Sequence, residues 1–267
     1  TFTSPGIKSL TASYAGDSNF NGSASSPATP HTVNNADTTT NITTDLPDPS
    51  VFGESVTVNF TVTVDAPGAG TLTGNVTVSD GTDSCIGTVA SGTCNITFTS
   101  PGSKSLTATY AGDSNFNSSA SSPATSHTVN KADTTTSITS DLPDPSLAGT
   151  SVTVNFTVLI TSPGSGTLTG NVTVSDGVDS CIGTVVSGTC NITLTTIGSR
   201  TLTATFAGDA NFNGSSSSGE PHTVSGYSTT TTITSDSPDP SVVGQTVTVQ
   251  YSVNTGTGTP TGNVTVS

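Results

Sequence analysis

Residues 55–64 read Ser-Val-Thr-Val-Asn-Phe-Thr-Val-Thr-Val, and this stretch decides the fold class of the chain. Val56, Val58 and Phe60 alternate with Thr57 and Asn59. Successive side chains of a β-strand point to opposite faces, so the apolar residues share one side and the polar residues the other. The pattern predicts a strand with one face buried and one face in water.

The same alternation continues on both sides of this stretch. Segments that end in turn dipeptides such as Asp80-Gly81, Ser91-Gly92 and Pro101-Gly102 repeat the pattern. The predicted strands are residues 38–43, 55–64, 75–79, 85–89, 94–99, 104–110 and 121–129. No segment keeps a helical period over three turns, so an all-β domain of seven short strands is predicted.

The chain repeats itself with a period of about 95 residues. Thr-Tyr-Ala-Gly-Asp-Ser-Asn-Phe at 109–116 has close copies at 13–20 and 205–212, and Pro-Asp-Pro-Ser recurs once per copy. The unit is the size of one small domain. We therefore expect four segments: the C-terminal part of a repeat (1–33), two complete repeats (34–129 and 130–224), and the N-terminal part of another (225–267).

These motifs resemble those of tandem bacterial Ig-like repeat domains. The resemblance rests on a Thr-Thr-Thr-x-Ile-Thr start, the Pro-Asp-Pro-Ser turn, the Gly-x-Val-Thr-Val-Ser-Asp-Gly strand and the Tyr-x-Gly-Asp-x-Asn-Phe corner, and it covers essentially the whole chain. It implies tandem immunoglobulin-like β-sandwiches in an extracellular surface or fibre protein of a prokaryote. The antibody hallmarks differ, because Trp is absent and no cysteine pair is spaced to join two sheets.

Composition narrows the choice of partners. The chain is 8% charged, against about 25% for a typical soluble domain, and its formal net charge is −14. Such a surface disfavours nucleic acid and anionic membrane. No apolar stretch reaches the roughly 18 residues of a membrane span, so no membrane insertion is expected in this segment.

The cysteines are the most specific chemical signal. Cys85 and Cys94 lie in Cys-Ile-Gly-Thr-Val-Ala-Ser-Gly-Thr-Cys, and Cys181 and Cys190 repeat the arrangement. Two strands joined by the Ser-Gly turn would bring each pair opposite one another, and small core-poor β-domains are where disulfides occur. We predict two disulfides, favoured over buried free thiols and over a zinc site.

The three histidines do not indicate catalysis. His31, His127 and His222 occupy one position, in His-Thr-Val, once per repeat. A catalytic histidine needs a positioned partner and is not expected in identical copies along an array. We interpret it as a strand residue before a four-residue link to the next repeat. With no hydrolase or nucleotide-binding motif present, we expect neither an enzyme nor a cofactor.

The recurring acids and sequons each leave an alternative open. Asp80, Asp83, Asp113 and their copies Asp17, Asp176, Asp179 and Asp209 could supply calcium ligands, but no local run offers more than two carboxylates. Asp before Gly is a good turn former, and that interpretation is favoured over a calcium site. N-glycosylation is open and depends on the host. The sequons considered are at Asn59, Asn75, Asn95, Asn155, Asn171 and Asn191.

Two functions follow as hypotheses. The first is a non-enzymatic array that forms an extracellular stalk, fibre or filament. The second is an adhesin that binds a glycan or protein through the B-C and F-G loops, which share one end of an Ig-like sandwich. These loops hold few aromatic or Arg anchors, which favours the stalk. The two terminal segments would expose open sheet edges, so we expect them to pair with further Ig-like polypeptide: a longer repeat chain, or the complementary end of another subunit.

Overall fold

The computed structural model describes residues 1–267, and every regular element in it is a β-strand. The all-β prediction is therefore confirmed. The N-terminal segment forms β1 (Gly6–Leu10), β2 (Ser13–Gly16), β3 (Asn21–Ala24) and β4 (Thr29–Val33). There is no helix long and apolar enough to cross a membrane.

The two complete repeats share one strand pattern. The first contains β5 (Thr38–Leu46), β6 (Ser50–Val51), β7 (Ser55–Val64), β8 (Asn75–Ser79), β9 (Ser84–Thr88), β10 (Thr93–Thr97), β11 (Gly102–Tyr110), β12 (Ser119–Ala120) and β13 (Thr125–Asn130). The second contains β14 (Thr134–Leu142), β15 (Ser146–Leu147), β16 (Ser151–Ile160), β17 (Asn171–Ser175), β18 (Ser180–Thr184), β19 (Thr189–Thr193), β20 (Gly198–Phe206), β21 (Ser215–Ser216) and β22 (Glu220–Ser225). The C-terminal segment forms β23 (Thr229–Ser237) and β24 (Thr248–Thr255).

Each complete repeat has two sheets. In the first, β10-β7-β5 form one sheet and β6-β13-β11-β8-β9 form the other, with β12 beside β11. The second repeat has the same orders, β14-β16-β19 and β15-β22-β20-β17-β18, with β21 beside β20. Adjacent strands are antiparallel apart from β6 with β13 and β15 with β22, which are parallel. Two sheets with this strand content make an Ig-like sandwich in each repeat.

The core is formed by the apolar residues that alternate with polar residues along the strands, as predicted. In β7, Val56 and Val58 are fully buried while Thr57 and Asn59 are exposed. The other sheet contributes the same kind of residue from β8 and β11. The buried apolar residues of the first repeat are Val56, Val58, Phe60, Val76, Val78, Cys85, Cys94, Ile96, Phe98, Leu106, Ala108, Tyr110, Phe116 and Val129.

Tyr110 shows how this core accommodates a polar atom. Its ring is fully buried, and its hydroxyl donates to the carbonyl of Thr73 at 2.8 Å. Burial first, and then the nearby Asp113 carboxylate, raises the pKa of Tyr110 above its usual value, so the phenol stays protonated.

The chain divides into two compact units. The first consists of Thr1–Asp133, Ile160–Thr167 and Ala210–Asn213, and so includes two loops from the second repeat. The second consists of Thr134–Leu159, Leu168–Asp209 and Gly214–Ser267.

The terminal segments form separate two-stranded sheets. β1 pairs with β4, β2 with β3, and β23 with β24. Large apolar side chains on these strands are exposed: Leu10 and Tyr14 on the N-terminal side and Tyr251 on the C-terminal side.

Candidate functional site

A buried histidine cluster is the most elaborate polar site in each complete repeat. His127, from β13, has its Nδ1 2.9 Å from Asp45 Oδ2 and its Nε2 2.9 Å from Ser50 Oγ. The His127 and Ser50 side chains are fully buried. Asp45 comes from the opposite sheet, in β5, so the cluster connects the two sheets.

The second repeat builds the same cluster. His222 Nδ1 lies 2.6 Å from Asp141 Oδ2, and its Nε2 lies 2.9 Å from Ser146 Oγ. His222 is also buried. The cluster is therefore a property of the repeat, encoded by Asp-Leu-Pro-Asp-Pro-Ser in one place and His-Thr-Val about 80 residues later.

The Pro-Asp-Pro-Ser segment is fixed beside His127 by hydrogen bonds to the backbone of β13. Ser50 and Val51 form β6, which pairs with β13 beside His127. Asp48 Oδ1 accepts a hydrogen bond from the Thr128 amide at 3.0 Å. The ring of Phe98 stacks on His127 with centroids 4.9 Å apart. The serine and both acids therefore approach one imidazole.

The order aspartate, imidazole, hydroxyl is that of a serine-hydrolase triad. Here the Ser50 hydroxyl is fully buried, so no substrate carbonyl reaches it in this structure. Both ring nitrogens have partners, which makes the cluster a satisfied internal network of the kind that rigidifies a core. The sequence predicted that His127 lies in a strand, but it did not predict the partners of the imidazole. The sequence did contain a signal for this cluster, because Asp45, Ser50 and His127 all recur in the second repeat.

The same cluster brings together three residues of types that can bind a metal ion. One ligand atom each from Asp45, Asp48 and His127 lies within 4.8 Å of the others, and Asp141, Asp144 and His222 repeat this. Nδ1 of His127 is already hydrogen-bonded to Asp45, and Asp48 holds the Thr128 amide. These atoms are satisfied by the protein itself, so the arrangement does not call for an ion.

The cysteine pairs lie between sheets and not within a hairpin. Cys85 is joined to Cys94, with an Sγ–Sγ distance of 2.06 Å, and Cys181 to Cys190, with 2.05 Å. The strands that carry each pair do not form a hairpin: β9 pairs with β8, whereas β10 pairs with β7. β9 and β10 are edge strands of different sheets, so each disulfide links the two sheets of its repeat. The expectation that no cysteine pair is placed to join two sheets was wrong.

A tight turn explains why the spacing of Cys85 and Cys94 suggested a hairpin. Gly92 has a φ of +64°, and its amide bonds to the carbonyl of Thr88. This left-handed position favours glycine, and it turns the chain from β9 into the other sheet. The sequence showed the turn but not which sheet each strand enters.

The recurring acids cap turns and fix loops. Asp80 Oδ1 accepts the amides of Thr82 and Asp83, and Asp83 in turn accepts the amide and hydroxyl of Thr99. Burial acts to raise the pKa of Asp80, but hydrogen bonds from the Asp83 and Thr82 amides and the charge of Lys104 leave the pKa lowered. In the second repeat Arg200 takes the place of Lys104, and its Nε lies 2.7 Å from Asp176 Oδ2.

Asp113 joins two loops at one end of the first sandwich. Its Oδ1 accepts the amides of Asn115 and Phe116, and its Oδ2 accepts the amide and hydroxyl of Thr73. The Asn115 amide is the largest influence, followed by the Thr73 hydroxyl, and together these donors lower the pKa of Asp113 to about 2. These contacts are those expected of turn-forming acids.

The sequon asparagines stand mostly on the outer faces. Asn59, Asn75, Asn95, Asn171 and Asn191 are exposed. Asn155 is half-buried, and its amide nitrogen donates to Ser140 Oγ at 2.8 Å. Asn59 makes the equivalent bond to Thr44 Oγ1. Glycosylation at these positions stays a prediction.

The first compact unit includes a joint made by two loops of the second repeat: the B-C loop, between β16 and β17, and the F-G loop, between β20 and β21. Phe52, from the turn after β6, contacts the ring of Phe212 edge-on, with centroids 5.4 Å apart. Gly166 faces the Phe52 ring, and Ser165 Oγ donates to the Gly53 carbonyl at 2.7 Å. The loops that the adhesin hypothesis needs are thus occupied here by residues of the chain itself.

The corresponding loops of the first repeat border a cavity of about 550 Å³. Gly70 and Phe116 stand where Gly166 and Phe212 stand in the joint. The link residue Ala36 also lines this cavity and forms a parallel bridge to Phe116. The link is therefore bonded to the F-G loop that follows it.

Comparison with known proteins defines the family. The model of the bacterial Ig-like domain, group 3, matches residues 43–130 and 138–225. The chain belongs to this family and carries two of its domains in tandem. No curated protein sequence matches it.

Several solved structures are similar at low identity. They include fibronectin(III)-like modules of Clostridium thermocellum CbhA, with 16% identity, 69% of this chain and 92% of that chain covered, and a TM-score of 0.27. Three N-terminal domains of the highly immunogenic outer capsid protein of bacteriophage RB49 have 17% identity, with 83% of this chain and 70% of that chain covered and a TM-score of 0.29. The Escherichia coli adhesin FdeC has 17% identity, with 82% of this chain and 72% of that chain covered and a TM-score of 0.26.

Proposed function

We propose that this chain is a non-enzymatic structural array, part of an extracellular stalk, fibre or filament of a prokaryotic surface. The observation that carries the proposal is the joint at Phe52, where B-C and F-G loops are used for contact within the chain. Loops that are occupied in this way hold repeats together instead of presenting a ligand site.

Other features support the same proposal. The four predicted segments give repeats in series, and the partners we expect are further Ig-like domains placed end to end. The two disulfides suit an oxidising extracellular location. The net charge of −14 disfavours nucleic acid as a partner.

An adhesin is the second candidate. The cavity of about 550 Å³ beside Gly70 and Phe116 is the observation in its favour, because the B-C and F-G loops of the first repeat border it. Its lining includes Thr3, Ser4 and Asn115, which are short polar side chains.

Two measurements test the proposal. Electron microscopy of the purified chain should show thin particles with a repeat near 40 Å, from strands of ten to eleven residues at about 3.3 Å each plus a link. A glycan array should show no saturable binding. Saturable binding of one kind of glycan that Asn115→Ala, a change in the cavity lining outside the core, abolishes would favour the adhesin instead.

A further inference from the structure

One asparagine holds the link that enters the second repeat. Asn213 lies in the F-G loop, and its backbone amide donates to the Ala132 carbonyl at 2.8 Å. Its side-chain amide nitrogen donates to Asp133 Oδ1, also at 2.8 Å. The preceding residue, Phe212, forms a parallel bridge to Ala132, and its ring contacts Phe52 in the joint. The Asn213 amide therefore ties the F-G loop to the link directly beside the joint.

The first repeat makes the same contact but differs in the next residue. The side-chain amide nitrogen of Asn117 donates to Asp37 Oδ1 at 2.8 Å, and its backbone amide donates to the Ala36 carbonyl at 2.8 Å. The asparagine is followed by Ser118 in the first repeat and by Gly214 in the second. Both following residues are exposed and lie outside the strands. The two repeats thus offer one asparagine contact with two different neighbours.

An asparagine followed by glycine is open to attack from its own backbone. The nitrogen of the following residue bonds to the side-chain carbonyl carbon Cγ, the bond between Cγ and Nδ2 breaks, and ammonia leaves. The product is a five-membered succinimide. A solvent water then opens the ring at one of its two carbonyls and leaves aspartate or isoaspartate. Glycine favours the attack, because no Cβ shields its nitrogen and its backbone reaches conformations closed to other residues.

We propose that Asn213 is a self-modifying site, at which the Gly214 nitrogen displaces ammonia and the link loses its contact with the F-G loop. The aspartate product has a carboxylate where the amide donated. A carboxylate accepts hydrogen bonds only, so it faces Asp133 without a shared hydrogen and with a like charge. The isoaspartate product also adds a methylene to the backbone next to Phe212. The modification therefore loosens the joint with time.

This inference goes beyond the proposed array function and does not depend on it. The reaction needs only water, which reaches both exposed residues, Asn213 and Gly214. Asn117 makes the same hydrogen bond to its own link, so a difference in rate between the two asparagines reports the residue that follows.

Peptide mass spectrometry of the purified 267-residue chain tests the reaction. The chain is incubated at mildly alkaline pH, samples are digested with trypsin at intervals, and fragmentation locates each amide that has become an acid. Basic residues separate Asn117, Asn213 and the further Asn-Gly pair at Asn21 into three different peptides. The deamidated fraction should grow several-fold faster at Asn213 than at Asn117, and isoaspartate should accompany aspartate.

Two variants separate the chemistry from its structural effect. Ser118→Gly moves the reactive pair into the first repeat at an exposed position, and it should raise the rate at Asn117 toward that at Asn213. Asn213→Asp supplies the aspartate product directly. In that variant, hydrogen exchange should speed up in the F-G loop of the second repeat and at Ala132, while β7 of the first repeat stays unchanged.

Three outcomes overturn the inference. Equal rates at Asn213 and Asn117, or an Asn117 that Ser118→Gly leaves unreactive, would show that the following glycine does not control the reaction. Unchanged exchange in Asn213→Asp would show that the link does not depend on the amide. A failure of the array function would appear separately, as saturable glycan binding by the unmodified chain.

Discussion

Gly166 lies so close to Phe52 that a Cβ on the glycine would stand 2.9 Å from Phe52 Cε1, and 3.2 Å from Phe212 Cζ. Its φ of +140° is also one that L side chains rarely adopt. The joint in the first compact unit therefore depends on a missing side chain.

Gly166→Ala should destabilise the joint through both strain and contact. Gly177→Ala is the matched control, because Gly177 has a φ of +91° but nothing within 4 Å of an added Cβ. We expect Gly177→Ala to cost about 1–2 kcal/mol from backbone strain alone, and Gly166→Ala to cost more. Equilibrium denaturation measures both, and equal losses would contradict a packed joint.

His127→Ala should lower the stability of the first repeat strongly. It removes the partner of the buried Ser50 and of Asp45, and each polar group left unpaired costs about 1–3 kcal/mol. His222→Ala should do the same to the second repeat. Hydrogen exchange resolved by repeat measures the two effects separately.

His31→Ala supplies the control for these variants. His31 is exposed and lacks the acid and serine partners, so in dilute protein its removal should leave the unfolding free energy nearly unchanged. A loss as large as that of His127→Ala would show that the imidazole stabilises the strand without its cluster.

Reduction should lower the melting temperature of both complete repeats without unfolding them. Cys85 and Cys94 are nine residues apart in sequence, and closing such a loop stabilises by roughly 2–3 kcal/mol in the chain-entropy model. The remaining core residues of the sandwich do not depend on the bond. Calorimetry with and without reductant tests this, and complete unfolding at room temperature would show that the apolar core is too weak alone.

Asp113 should make the first repeat sensitive to acid. Its pKa is lowered to about 2, below the value of about 3.9 expected in an unfolded chain. A carboxylate with a depressed pKa contributes stability that is fully present above about pH 4 and is lost as the pH falls toward 2. Asp113→Asn should therefore be less stable at pH 7 and lose less between pH 4 and pH 2. Acid titration followed by circular dichroism measures the difference, and parallel curves for the two proteins would contradict it.

The sequence predicted what alternation encodes. Residues 55–64 and 75–79 form strands with the predicted limits, and the buried face of β7 is the predicted one. These features follow from the contrast between apolar and polar neighbours along a single strand.

The sequence did not reveal contacts that depend on pairing between sheets. β6 has only two residues, too few for a period, so its parallel pairing with β13 had no signal. Cys85 precedes the Ser91-Gly92 turn and Cys94 follows it, so the sequence suggested one hairpin. The two cysteines nevertheless lie in different sheets. The His127 cluster joins residues about 80 positions apart, which a single sequence does not connect. The predicted repeat boundaries and glycosylation positions stay predictions.

The parallel pairing of β6 with β13 bears on how a repeat responds to mechanical load. β6 lies near the start of the repeat and β13 at its end, so tension applied through the chain pulls the two neighbours in opposite directions along their length. Their hydrogen bonds, together with that between Ser50 and His127, are then sheared simultaneously and do not open one after another. Under tension each repeat would therefore resist extension through shear of the bonds between β6 and β13, whereas its disulfide joins β9 to β10 in the middle of the repeat sequence.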